Sequence, residues 1–589
     1  MPDQPLRFAP APVAGSPEWR DLPEQVRLRL IERGDAALMA DIPHLLASDL
    51  TRFSRDGDRA GFEAKYFARR RHLNALAMAA LAGDPAPYLS PLADMTLLLC
   101  EESGWQLPAH NAQQRGGARA PLPDPYQPIV DLFAAETGAQ LGVLCAVLGP
   151  QIASVAPGLT ERILREVHHR ILTPYLEQKF WWMGNVDGPT NNWTVWITQN
   201  ILLCALSLPT DDSLRRAVIR RAISSLDAFL SDYGDDGACE EGPLYYRHAG
   251  LCLWGILDIL SQVAPEAFAE ILTHPKIRNI AEYIEAVHVS GRTFINFADS
   301  PAINPPCTLR EVLFGRATGS QRLERFALND AASAGWDDLP NEINLWYRLL
   351  QAQHSGELSE VLPQPLPPRD IWYPSIGLMV ARGAGTTLAV KAGGNGDSHN
   401  HNDTGSVTLY REGRPVLIDI GVGIYTKKTF SPERYDIWTM QSSWHNLPDF
   451  AEQMQHDGAA FASRDVHPDL QEDHAALSME LADAWHASAG LRRFHRKVRL
   501  DKTTGRVEIR DIYDSDGPAV LNLIFAIAPR ISGTEIALPN LAHINCDGAS
   551  GVSLEAIQIE DTRLRESWPE TLWRTRITAA ANQLTITIS

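Results

Sequence analysis

The densest run of reactive side chains is Gly393-Gly-Asn-Gly-Asp-Ser-His-Asn-His-Asn-Asp-Thr-Gly405. In an extended segment His399, His401 and Asp403 point the same way, because side chains alternate across the backbone. The chain then reads as a strand, turns near Glu412-Gly413 and returns through Val416 to Asp419. A two-residue turn puts Asp419 opposite Ser406, at the histidine end of that hairpin. A third imidazole, His445, follows in Ser442-Ser-Trp-His-Asn446. Two histidines and one aspartate from separate strands suit zinc, which takes neutral imidazole and carboxylate ligands. A polar loop whose histidines bond to the backbone explains an isolated His-x-His equally well. Asp419 favours a site, because a carboxylate inside the apolar strand Val416-Leu-Ile-Asp-Ile420 is costly unless paired.

Two further clusters lie earlier in the chain. In Gly184-Asn-Val-Asp-Gly-Pro-Thr-Asn-Asn-Trp-Thr-Val-Trp196, Thr190 or Asn191 is a good N-cap for the helix that follows. Asn192, Trp196 and Gln199 then share one helix face. Capping explains one asparagine, and a second at the helix mouth suggests a site. In Asp235-Asp-Gly-Ala-Cys-Glu-Glu-Gly-Pro-Leu-Tyr-Tyr-Arg-His248, Glu240 and Glu241 read either as an acid/base pair or as first-turn acids favoured by a helix dipole. The second is the plainer reading. Tyr245 and Tyr246 sit where loop meets helix, beside Arg247 and His248. A phenol near cations loses its proton more easily than one in water.

Two kinds of element must position these groups. From about Pro23 to Leu350 the apolar period is helical, with segments around 24–50, 74–82, 128–148, 159–176, 193–208, 246–263 and 340–352. The helix opening at Asp212 is the clearest, its stripe formed by Leu214, Val218, Leu226, Phe229 and Leu230. Paired helices in a ring or bundle fit this pattern. After the Pro-rich stretch Leu362-Pro-Gln-Pro-Leu-Pro-Pro-Arg369, which reads as a linker, the period becomes two. Val407/Leu409, Val416/Ile418/Ile420, Val507/Ile509 and Leu584/Ile586/Ile588 alternate with other residues, as in an antiparallel β-sandwich. The absence of βαβ alternation argues against a Rossmann fold or TIM barrel.

Composition narrows the partners. The 589 residues carry a net charge of −19, which repels phosphate backbones and anionic lipid. Nucleic-acid and membrane-surface roles are therefore disfavoured, while a local basic pocket can still take a polyanion. Seven scattered cysteines without a CxxC pair fit reduced thiols. The stretch Leu251–Leu260 is about half the length a bilayer span needs. With no signal in Met1–Gly15 the chain reads as cytoplasmic, or periplasmic if a signal had been removed.

Taken together, Thr190-Asn-Asn-Trp193, Glu241-Gly-Pro-Leu-Tyr-Tyr246, Ser398-His-Asn-His-Asn-Asp403, Asp419 and Trp444-His-Asn446 resemble the heparinase II/III-like polysaccharide lyases. Cys100-Glu-Glu-Ser-Gly-Trp-Gln-Leu-Pro-Ala-His-Asn111 adds to the match, which runs in order over roughly residues 25 to 450. The resemblance implies an N-terminal α/α toroid, an incomplete barrel of helical hairpins, over 1–365. It implies an antiparallel β-sandwich over 366–589 that contributes the His399 and zinc-site loops. It also implies cleavage of uronate-containing polysaccharides or oligosaccharides by β-elimination. That reaction removes the weakly acidic C5 proton and expels the oxygen at C4, so donors must hold the carboxylate as an enolate develops.

By the same resemblance Asn191 binds the carboxylate with Asn192 close by, and Tyr245 acts as base, acid or both, with Tyr246 as the register alternative. His399 corresponds to the active-site histidine. His401, Asp419 and His445 map onto ligands of a zinc ion that organises loops. Arg434, Tyr435, Trp444 and His110 are candidates for sugar contacts. Several relatives carry histidine where this chain has Asn192. That favours substrates whose C5 proton and C4 leaving group lie on the same side. The lack of an export signal in Met1–Gly15 suggests imported, already shortened oligosaccharides as substrates, with exo action preferred. A toroid glycoside hydrolase using Asp236 and Glu241 is the rival enzyme class. A carbohydrate-binding protein with a degenerate site is the non-enzyme rival. Homo-oligomerisation is left open.

Overall fold

The computed structural model describes every residue except 1–5, 7, 115, 185–187, 269, 335–338 and 357–363. Asn185, Val186 and Asp187 of the second cluster, and Leu362 and Pro363 of the linker, therefore lie outside the described residues. The chain forms two compact units that do not follow chain order alone. One comprises Met1–Tyr233, His248–Ala281 and Cys307–Gln364; the other comprises Gly234–Arg247, Glu282–Pro306 and Pro365–Ser589. A cut at residue 365 thus differs from the compact units in two segments.

The first unit is helical. Glu24–Met39 packs on Ala60–Ala82, Leu132–Val155 on Asn192–Ser207, and Asn192–Ser207 on Asp212–Asp232. Asp131 Oδ1 accepts from the Ala134 amide (2.7 Å) and Asp211 Oδ1 from the Leu214 amide (2.9 Å), so both helices start on aspartate caps. The helix Ala60–Ala82 begins earlier than its apolar period suggests, because arginines interrupt the stripe. Arg69 and Arg70 are nonetheless buried, each paired with Glu102 (2.8 and 2.7 Å). Ala86–Cys100 is a further helix that the periodicity does not isolate. Among the described residues one helix, Leu132–Val155, is long and apolar enough to cross a membrane, and 83% of its apolar window is buried. It is a core helix of this unit, and it exceeds Leu251–Leu260 as an apolar stretch.

The second unit is built on antiparallel sheets. Arg464–Leu470, His474–Glu480, Leu491–Asp501, Val507–Ser515, Gln583–Ile588, Ala542–Asp547, Glu535–Leu538 and Arg530–Ser532 form an eight-stranded sheet in that order. A five-stranded sheet runs Ile371–Tyr373, Leu378–Gly383, Thr386–Lys391, Val407–Arg411, Arg414–Leu417. A four-stranded sheet runs Ala549–Gln558, Thr571–Ala579, Ala519–Phe525, Pro448–Phe450. Residues of all three, among them Leu388, Leu409, Val498, Ile509, Leu523 and Ile586, share one apolar core. Alternation at Val507/Ile509 and Leu584/Ile586/Ile588 matches inward-facing positions. Val407–Leu409 departs from it, since Thr408 and Tyr410 are buried as well and both faces of that strand are covered.

Arginines recruit chain from the helical half into this unit. Arg382, on the second strand of the five-stranded sheet, donates to the Ala286 and His288 carbonyls (2.7 and 2.8 Å). Arg369 pairs with Glu282 and Glu285 (2.8 and 3.0 Å). The segment Glu282–Pro306 is held there with its short hairpin, His288–Ser290 against Thr293–Phe294.

Candidate active site

Around residue 399 the chain is not the extended ribbon that simple alternation assumes. His399 has a left-handed φ of 56°, and no strand spans the segment between Gly394–Asn395 and Val407–Arg411. A left-handed turn at a non-glycine residue is held by its surroundings, and such strain gathers at functional sites. The hairpin does turn at Glu412-Gly413, both with positive φ (47° and 72°), as a two-residue turn of the primed type demands. Arg411 pairs with Arg414, but a bulge shifts the register so that Leu409 pairs with Leu417. The strand stops at Leu417, so Asp419 stands in the loop beyond it rather than inside an apolar strand.

His399 and His401 converge on Asp299, a residue that no periodicity or motif marked. His399 Nδ1 lies 2.7 Å from Asp299 Oδ2, and His401 Nε2 lies 3.2 Å from Oδ1. Arg434 Nη2 donates to the same Oδ1 (2.6 Å) and also to the His399 and Asn400 carbonyls (2.8 and 3.0 Å). Arg434 is thus a tie holding the histidine loop, not a free surface charge. Asp299 is wholly buried, and Ala298 before it carries φ 51°. Burial alone would raise the Asp299 carboxyl, but hydrogen bonds from His399 and His401, with Arg434 nearby, hold it well below the usual range.

Tyr245 joins this cluster from the start of the helix Pro243–Val263. Its ring centroid is 4.7 Å from that of His399, and its hydroxyl is 2.5 Å from the Tyr425 hydroxyl. Tyr425 donates in turn to Asp299 Oδ2 (3.1 Å). Burial pushes the Tyr245 phenol up, and the Asp299 charge adds to that rise. The cations adjacent in sequence do not reverse it: Arg247 donates to the Pro305 and Pro306 carbonyls (2.6 Å each), and His248 stacks on Trp196 (4.0 Å). Arg563, far along the chain, is the cation that opposes it. Tyr246 is fully buried beside Tyr283, because adjacent helical residues point about 100° apart.

The acids of the third cluster divide. Asp236 accepts from the Ser375 amide (2.8 Å) and hydroxyl (2.7 Å), which occupies both oxygens in holding a turn. Glu241 accepts from Ser398 Oγ (3.1 Å). Glu240 is pushed up to about 7 by burial, then by Glu241 and Asp397.

The metal-type cluster differs from the expected set in one member. Asp403, Asp419 and His445 are buried with ligand atoms all within 4.8 Å of one another. His401 lies outside that group, its ring 5.6 Å from His445, because its Nε2 is turned to Asp299. His445 Nδ1 lies 3.0 Å from Asp419 Oδ2 without hydrogen-bond alignment, and His445 Nε2 and His401 Nδ1 are buried without partners. Orphaned imidazole nitrogens beside buried carboxylates fit a divalent ion of the zinc type. Lys391 donates to Asp403 (3.2 Å).

Asn191, Asn192 and His110 stand in the first unit. Asn191 is the N-cap: its Oδ1 accepts from the Trp193 amide (3.0 Å), leaving its amide NH2 as the donating end. Thr190 instead bonds Asp232 (2.8 Å). Asn192 is buried, and Gln199 is committed to Tyr347 (2.6 Å). His110 is fixed by Asp131 (2.7 Å) and packs its ring 4.7 Å from Trp193, with burial lowering its proton affinity. Trp444 packs on Trp438 with Arg574 over its ring.

The fold and these clusters define a class: a helical unit, and a unit of antiparallel sheets that carries a phenol–imidazole pair and a histidine–aspartate cluster of metal-ligand type. Residues 365–587 match the family model described as "Heparinase II/III-like, C-terminal". The whole chain has the α/α toroid plus β-sandwich fold of solved heparinases. Heparinase III is similar at 14% identity and a TM-score of 0.62, covering 99% of this chain and 87% of that one. A mutant of heparan sulfate lyase HepC from Pedobacter heparinus is similar at 12% identity and a TM-score of 0.59, covering 96% and 88%. No curated protein matches the sequence.

Proposed function

We propose that the protein is a polysaccharide or oligosaccharide lyase that cleaves uronate-containing glycans by β-elimination, leaving a C4–C5 double bond. The observation that carries this reading is the 4.7 Å approach of the Tyr245 phenol to the His399 imidazole around the buried Asp299. Tyr245 is the base that takes the C5 proton and the acid that returns it to the leaving oxygen, one group in two states on one face of the sugar. His399, oriented by Asp299 through Nδ1, presents its other nitrogen toward the substrate carboxylate. The motif resemblance gives the Asn191 amide a carboxylate-binding role. Asp403, Asp419 and His445, with His401 beside them, are the residues to hold zinc, which supplies loop cross-linking there. The names of the similar structures favour an acidic glycosaminoglycan-like substrate, and Asn192 in place of a second histidine favours same-side elimination.

The test is a screen of alginate, glucuronan, hyaluronan, chondroitin and heparan fragments for new ultraviolet absorbance. A cleaved substrate is expected, and Tyr245→Phe should lower kcat on it about 10²- to 10⁴-fold. Substantial activity left in a folded Tyr245→Phe variant removes Tyr245 as the base, and cleavage without absorbance makes the protein a hydrolase.

A further inference from the structure

We propose that Tyr425 is a positioning residue for this elimination: its hydroxyl is the donor that holds Tyr245 as a phenolate, and Asp299 keeps that hydroxyl aimed. The inference rests on the lyase reading of Tyr245. The Tyr425 oxygen lies between the Tyr245 oxygen at 2.5 Å and Asp299 Oδ2 at 3.1 Å. A phenol has a single proton to donate. With Tyr245 neutral, Tyr245 donates to Tyr425 and Tyr425 donates to Asp299. With Tyr245 ionised, the Tyr425 proton turns to the phenolate, and Asp299 keeps Arg434, His399 and His401 around it. The switch is a rotation of one O–H bond.

The ring is fixed so that only the hydrogen need move. Arg563 lies 4.5 Å over the Tyr425 ring and donates to the Asp299 and Gly423 carbonyls (3.2 and 3.3 Å). Phe430 meets the ring edge-on at 5.0 Å. The charged and titratable groups facing the pair are Asp299, Glu241, His399 and Arg563. During turnover the C5–H proton passes to Tyr245, and the C5 electron pair becomes the C4–C5 double bond. The departing O4 then takes that proton from Tyr245. Tyr425 keeps its hydrogen throughout, so the step balances without it.

The experiment compares native enzyme with Tyr425→Phe, and with 3-fluorotyrosine placed at 425, on the oligouronide that native enzyme cleaves, with a thermal melt of each as a check of folding. Loss of a donor to a charged oxygen should lower kcat about 10- to 100-fold with KM within about twofold. The ascending limb of the pH–kcat profile should move up about one to two units. The fluorinated phenol, a stronger donor of nearly the same size, should move that limb down, and it keeps the test decisive if the Phe variant does not fold. A native kcat and an unmoved limb in folded variants overturn the proposal. Full activity in Tyr245→Phe defeats the lyase reading of Tyr245 instead, a result separate from either Tyr425 outcome.

Discussion

At the scale of single residues, the chemistry turns on where charge is placed around one phenol. Burial and the Asp299 carboxylate both raise Tyr245, so the free protein holds little phenolate at neutral pH. If phenolate is the reactive form, kcat/KM should climb about tenfold per pH unit through the neutral and mildly alkaline range. A flat profile would show that the proton is taken by another group. The residues beside Tyr245 in the chain suggest the opposite bias, since Arg247 and His248 are its neighbours in sequence. Their side chains go to the Pro305 and Pro306 carbonyls and to Trp196.

At the scale of elements, the loops that bear the histidines are held by arginines rather than by strands. Arg496, on the eight-stranded sheet, is fully buried, pairs with Asp511 (2.6 Å), and donates to the Gly405 and Asn446 carbonyls (2.9 Å each). Those carbonyls lie just beyond Asp403 and His445 in sequence, so one guanidinium anchors both loops of the metal-type cluster. Arg496→Met leaves Asp511 buried and unpaired and should cost about 3–5 kcal/mol of stability, read from the denaturant midpoint. The same cluster predicts about one zinc per chain by elemental analysis. Chelation should lower the melting temperature by a few degrees, and added zinc should restore it. Asp419→Ala should bind no zinc and be insensitive to chelator.

For the folded molecule as a whole, the helical unit contains a carboxyl that ties stability to pH. Glu136, buried in the helix Leu132–Val155 with Asn344 donating to it (3.1 Å), is pushed up to about 8 by burial and by the Glu342 charge. The folded state therefore holds a proton that the unfolded state releases above its ordinary carboxylate value of 4.5. Stability from this group is complete below that value and is lost as pH rises toward 8, at a slope approaching ~1.4 kcal/mol per unit. Glu136→Gln, which stays neutral, should flatten the fall in unfolding free energy between pH 5 and pH 8. An unchanged slope in that variant would place the linkage elsewhere.

Local rules reach as far as the elements and the reactive residue types. Helical period to about Leu350, alternation beyond Arg369, aspartate caps and a primed turn at Glu412-Gly413 follow from side-chain direction and backbone preference, which neighbours in sequence suffice to express, whereas His399, His401, Asp419 and His445 show there only as reactive residue types. Asp299, Tyr425 and Arg563 did not show themselves, because an isolated aspartate or tyrosine in a loop has no period and acquires meaning only from what lies across from it. The exchange of His401 for Asp403 near Asp419 and His445 has the same origin, since a left-handed residue at 399 cancels the alternation that would align them. Buried arginines likewise read as surface charge until Glu102, Asp511 and Asp299 are seen beside them. The linear chain thus determined the elements and their chemistry. Only tertiary structure decided which charges meet, because Coulomb and hydrogen-bond energies depend on separation in space rather than along the backbone.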